Sequence, residues 1–129
     1  MSKPLARILY VEDEPDIRAI AQMALEAVGG FTVIACASGS EALAAAPAAA
    51  ADLLLLDVMM PGMDGPSTLK ALRELPATAQ TPVIFMTAKV QAAEVAQYMA
   101  LGAIDVIHKP FDPMELSAQI GRIWALKGG

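Results

Sequence analysis

Four positions along the chain carry polar side chains straight after apolar runs, and their chemistry sets the first expectation. Glu12 and Asp13 follow Ile8-Leu9-Tyr10-Val11, Asp57 follows Leu53-Leu54-Leu55-Leu56, Thr87 follows Val83-Ile84-Phe85-Met86, and Lys109 follows Val106-Ile107-His108. Three carboxylates brought together repel one another and lose hydration, so such a group needs a cation or raised pKa values. A hard divalent ion meets that need: Mg2+, with Mn2+ as the alternative, takes oxygen ligands from a few carboxylates and keeps several waters. The chain has one His and one Cys, which excludes the ligand cluster that zinc requires. Asp57 stands centrally, and Lys109 offers a point charge on a flexible stem. Between them a phosphoryl group could be held, with the cation, Lys109 and the Thr87 hydroxyl neutralising its equatorial oxygens. An aspartate attacking phosphorus forms an acyl phosphate.

The elements that must position these groups are legible as alternating strands and helices. Ile8–Val11, Leu53–Leu56, Pro82–Met86 and Val106–His108 read as strands buried on both faces, while Phe31–Ala35 alternates and suits a sheet edge. Ile17, Ile20, Ala21, Ala24, Leu25 and Val28 recur at helical spacing and stop at Gly29-Gly30. Ser38 with Glu41 and Asp112 with Glu115 have capping-box spacing and open the second and fifth helices. A third helix is expected from about Pro66 to Glu74 and a fourth from about Ala92 to Leu101. Leu116, Ile120 and Ile123 share a face of the fifth, with Trp124 at its edge. Strict alternation implies a doubly wound α/β fold with a five-stranded parallel sheet between five helices. In that architecture reacting groups gather at the carboxyl ends of the strands, where all of the polar exits named above fall.

Composition narrows the function classes. The 129 residues suit one domain, and 56% hydrophobic against 18% charged residues makes it globular. The longest strongly apolar run, Leu53–Leu56, is far short of a membrane span. A net charge of −5 without Lys or Arg runs argues against direct nucleic-acid binding. Cys36 is the sole cysteine, which fits a reducing compartment, and the amino terminus has no secretory pattern, so a cytoplasmic location is expected.

Four segments in order resemble the receiver domain of bacterial response regulators, and the length resembles a stand-alone, chemotaxis-type one. They are Ile8 to Glu14, Leu53 to Gly65 with Asp57-Val58-Met59-Met60-Pro61-Gly62-Met63-Asp64-Gly65, Met86-Thr87-Ala88, and Lys109-Pro110-Phe111. The resemblance implies a flavodoxin-like strand order of 2-1-3-4-5 and one receiver domain over residues 1–129. It implies Mg2+ held by Glu12, Asp13, Asp57 and the backbone carbonyl of Met59, with Asp57 the phosphorylation site. Thr87 and Lys109 would bind the phosphoryl oxygens, beside room left by Ala88, and a cis peptide would precede Pro110. Gly62 and Gly65 are expected where side chains would crowd the loop after strand three. A histidine kinase or phosphotransfer protein would donate. A protein target would read the face made by helix four, strand five and helix five, with the chain a monomer or a phosphorylation-dependent dimer. Two positions depart from the family pattern: Val106 stands where many receivers have an aromatic residue, and Glu12 where many have aspartate.

Two other functions fit parts of the sequence. An aspartyl-phosphate phosphatase would need an acid or base close after the nucleophile, and Met59 supplies neither. A binding module that keeps the fold without phosphorylation would explain Val106. Taken singly, each acid reads as a cap or turn, Thr87 as a strand end and Lys109 as a surface charge. His108 reads as packing or surface and receives no role. Cys36 reads as a small hydrophobe, and Met59, Met60 and Met63 as adaptable packing or contact residues.

Overall fold

The computed structural model describes residues 3–128. Its strands are β1 (Arg7–Val11), β2 (Thr32–Cys36), β3 (Leu53–Asp57), β4 (Val83–Thr87) and β5 (Asp105–His108). The helices are α1 (Pro15–Met23), α2 (Gly39–Ala49), α3 (Gly65–Arg73), α4 (Ala92–Ala100) and α5 (Leu116–Ile123). All strands are parallel in the order β2-β1-β3-β4-β5, the doubly wound arrangement expected from the alternation and the resemblance. β3 and β4 are buried at every position, which is why they read as unbroken apolar runs. Their residues alternate between two cores. Leu54, Leu56 and Phe85 meet Leu69, Leu72 and Tyr98 on one face, while Leu53, Leu55, Ile84 and Met86 meet Leu25, Leu116 and Ile120 on the other.

Several local readings need correction. The first helix widens into a π-helical turn over Ala24–Val28, and a turn with an i→i+5 bond rotates the following residues away from the original face. Leu25 stays buried but Val28 is 51% exposed. Ile20, at 48% exposed, also lies outside the core, lining an apolar groove with Ile17, Pro110, Phe111 and Pro113. The fifth helix proper starts at Leu116, after a turn. Asp112 Oδ1 accepts the Met114 amide at 2.9 Å, and no return bond from Glu115 forms among the described residues. In α2 the Ser38 hydroxyl does accept the Glu41 amide at 3.1 Å, but Glu41 reaches back to Ala37 N, at 3.2 Å, one residue before the cap. Trp124 is buried rather than marginal, its Nε1 donating to Lys3 O at 2.7 Å.

At the amino edge of the sheet, opposite the polar exits, buried Asp52 ties the chain together. Its Oδ2 accepts the amides of Ala6 and Arg7 at 3.0 and 2.9 Å, and Oδ1 pairs with Lys3 Nζ at 2.6 Å. Burial alone would raise its pKa, but the bonds from Lys3, Arg7 and Ala6 outweigh it and hold the carboxyl below its ordinary 3.8. A depressed folded pKa contributes stability that is present above the unfolded value and lost as pH falls through the folded one. Asp52→Ala is therefore expected to cost about 2–3 kcal/mol at pH 7. The difference from wild type should shrink in urea titrations taken towards and below the model-compound value of 3.8.

Candidate metal and phosphoryl site

Four of the five strands, β1, β3, β4 and β5, deliver functional groups to the carboxyl edge. Asp57 and Thr87 are the last residues of β3 and β4, Glu12 and Asp13 follow β1, and Lys109 directly follows β5 and is joined to Pro110 by a cis peptide. Together with Met59 and Ala88 they line one cleft, so every residue singled out for chemistry in the sequence arrives at the same place. One carboxylate oxygen from each of Glu12, Asp13 and Asp57 lies within 4.8 Å of the others. Glu12 and Asp57 are buried and Asp13 is half-buried.

Lys109 Nζ bridges two of these acids, at 2.7 Å from Glu12 Oε1 and 3.0 Å from Asp57 Oδ1. Burial would lower the pKa of the ammonium, but the hydrogen bonds and charges of Glu12 and Asp57 outweigh it and raise the value. The Asp57 carboxyl is pushed up to about 6, first by burial and then by the negative Glu12, with Lys109 offsetting part of the rise. Three carboxylates against one bridging ammonium leave surplus negative charge in a desolvated pocket. The donor set is all carboxylate oxygen, with no thiolate or imidazole, which fits a hard divalent cation such as Mg2+.

Thr87 Oγ1 accepts the Lys89 amide at 3.0 Å, which leaves the hydroxyl proton free to donate. Met59 is 64% exposed at the rim, whereas Met60 is buried and Met63 half-buried. His108 is exposed, and Cys36 is buried at the end of β2 with its thiol pKa raised chiefly by burial.

The loop that presents Asp57 closes on Gly65, whose amide donates to Val58 O at 2.9 Å. A Cβ at Gly65 would lie 2.5 Å from the Asp57 carbonyl oxygen and 2.9 Å from Val58 Cα, so this glycine answers to crowding. Gly62 does not. Nothing lies within 4 Å of its would-be Cβ, and its φ of +76° is the reason for glycine there. Gly65→Ala should push the start of α3 away from β3 and cost about 1–3 kcal/mol, with the Asp57 backbone amide shifting in NMR spectra.

The sequence reading missed Arg18, whose Nη1 donates to Glu12 O at 2.9 Å, and the Glu14 amide, which donates to Glu12 Oε2 at 3.2 Å. No spacing rule flags either, because one contact ends on a backbone carbonyl and the other begins at a backbone amide.

Residues 8–121 match the family described as response regulator receiver domain. The chain belongs to the response-regulator receiver family. It is 43% identical over 117 residues to the transcriptional regulatory protein CpxR of Escherichia coli K12, covering 91% of this chain and 48% of that one. It is 39% identical over 115 residues to the transcriptional regulatory protein YvrH of Bacillus subtilis, covering 89% and 47%. The chain thus spans about half the length of these curated relatives. Among solved structures, the chemotaxis protein CheY4 of Vibrio cholerae superposes with a TM-score of 0.84 at 32% identity, covering 93% of this chain and 99% of that one. Two-component signalling is therefore the setting of this receiver domain. Among the described residues no helix is long and apolar enough to cross a membrane.

Proposed function

We propose that this receiver acts as one unit over residues 1–129 in the cytoplasm. Asp57 takes a phosphoryl group from a histidine kinase or phosphotransfer protein, in the presence of Mg2+, and the modified chain changes its affinity for a protein target. The observation that carries this reading is the bridge of Lys109 Nζ between Glu12 Oε1 at 2.7 Å and Asp57 Oδ1 at 3.0 Å, inside a three-carboxylate group. Asp57 is thereby oriented beside a fixed positive charge.

In the transfer, a carboxylate oxygen of Asp57 attacks phosphorus as the bond to the donor imidazole nitrogen breaks, its electron pair remaining on nitrogen. An acyl phosphate results. Glu12, Asp13, Asp57 and the carbonyl of Met59 would hold Mg2+, which when bound neutralises charge on the phosphoryl oxygens. Lys109 moves from Asp57 Oδ1 to a phosphoryl oxygen, and Thr87 donates its free hydroxyl proton to another. Hydrolysis of the acyl phosphate returns the chain to its starting state, so turnover is confined to its own aspartate.

The face formed by α4, β5 and α5 suits the target. Met99 on α4 and Leu126 just beyond α5 are exposed, and α4 is seated by one buried side chain, Tyr98. Tyr98 packs against Phe85 with ring centroids 5.5 Å apart and the rings tilted by 51°, beside half-buried Val106, so the aromatic ring on this face comes from α4 rather than β5. A weakly seated helix that packs through Tyr98 on Phe85, two residues before Thr87 in β4, is a fitting two-state element. Dimerisation through this face on phosphorylation is compatible with the same exposed residues. Direct contact with nucleic acid is not, given the net charge of −5.

The test is incubation with acetyl phosphate and Mg2+, followed by intact-mass measurement, with a parallel assay on p-nitrophenyl phosphate. One phosphoryl group per chain without catalytic turnover of the ester is the expected result. An unmodified chain would favour the phosphorylation-independent binding module, and sustained ester hydrolysis would favour the phosphatase.

A further inference from the structure

Glu12 and Asp13 are consecutive, so the peptide plane between them governs where both carboxylates point. Glu12 is fully buried and held at every hydrogen-bonding atom. Its amide donates to Cys36 O at 3.0 Å, Oε1 accepts from Lys109 at 2.7 Å and Oε2 accepts the Glu14 amide at 3.2 Å. The remaining atom is the carbonyl oxygen of the Glu12–Asp13 peptide, and Arg18 Nη1 holds it at 2.9 Å. Arg18 lies in α1 one turn after Glu14, with its own amide bonded to Glu14 O at 2.9 Å. No side chain caps the start of α1, and the guanidinium folds back over that end of the helix to reach the loop.

We propose that Arg18 is a positioning residue for the cation site: by fixing the Glu12–Asp13 peptide it sets the Asp13 carboxylate against those of Glu12 and Asp57. The inference rests on the reading of this cleft as a divalent-cation site. It assigns a role to a cation that charge alone would forbid. A guanidinium near an acidic site repels a divalent ion, so if Arg18 acted only through its charge, removing it would tighten metal binding. If it acts by orientation, removing it loosens the peptide carrying two ligands, and binding weakens. Outer contacts that orient metal ligands change affinity by about 10–100-fold when lost. The two accounts therefore predict opposite signs for one substitution.

The measurement is the dissociation constant of Mn2+ for the unphosphorylated full chain, by electron paramagnetic resonance, with Mg2+ competition by calorimetry. Arg18→Met, which keeps the apolar stem, is expected to weaken Mn2+ binding about 10-fold while thermal unfolding of the metal-free chain changes little. Arg18→Lys keeps the charge without the planar fork that reaches the carbonyl; it too is expected to bind more weakly, and it serves if Arg18→Met folds poorly. Wild-type or tighter affinity in either folded variant would overturn the proposal. A wild-type chain that binds neither ion would instead overturn the reading of the cleft beneath it, and this inference with it.

Discussion

Lys109→Met is expected to lower the stability of the metal-free chain by about 3–5 kcal/mol, and millimolar Mg2+ is expected to restore much of that loss. The wild-type ammonium lies 2.7 Å from Glu12 Oε1 and 3.0 Å from Asp57 Oδ1, and both acids are buried. Removing it strands two carboxylates in a desolvated pocket beside Asp13, which is costlier than never having built the pair. A divalent cation that binds the folded chain stabilises it in proportion to the logarithm of its concentration over its dissociation constant. Because Lys109 occupies oxygens from two of the candidate ligands, the variant should also bind Mg2+ more tightly than wild type. Urea titrations with and without Mg2+ check both statements. Equal stability of wild type and variant without metal would remove the electrostatic basis of the site.

Asp57→Asn is expected to abolish phosphoryl incorporation and, at the same time, to make the metal-free chain more stable at pH 7. The first effect follows from replacing the attacking carboxylate by an amide. The second follows from its pKa. A carboxyl whose folded pKa is raised to about 6 from 3.8 binds more protons folded than unfolded in between, so stability falls as pH rises through that window. At neutral pH the ionised group opposes folding, chiefly through burial and the adjacent Glu12. Asparagine removes that charge and should gain about 1–2 kcal/mol, with the advantage fading in acid. The same substitution takes away a central oxygen ligand, so Mg2+ should stabilise the variant far less than wild type. A less stable Asp57→Asn chain at pH 7 would show that the Lys109 contact outweighs the burial of the charge.

The parts of this molecule that can be read from sequence are those where burial leaves no choice. Three buried strands and a half-buried edge strand, β5, that run apolar and then stop at Asp13, Asp57, Thr87 and Lys109 announce both the parallel sheet and its reactive edge, because only one edge of such a sheet collects strand exits. What stayed hidden depended on geometry that residue type does not encode. A π-helical turn moved Val28 out of the first helix's buried face without changing the spacing pattern. Ile20 fits the helical stripe equally well whether it meets the core or an apolar groove at the surface. Arg18 reads as an ordinary helix-surface charge, since its partner is the backbone of Glu12, which carries no signature. Gly62 and Gly65 look alike in sequence, yet one answers to a positive φ and the other to a backbone 2.5 Å from its would-be Cβ.

The central claim is that a hard cation, gathered by Glu12, Asp13 and Asp57, turns the Asp57 carboxylate into the phosphoryl acceptor. The most direct test treats the chain with acetyl phosphate in Mg2+ or in chelator, reduces the product with borohydride, and locates the reduced residue by peptide mass spectrometry. Reduction confined to position 57 and dependent on Mg2+ is the expected result. Equal modification in chelator, or reduction at another acid, would contradict the account.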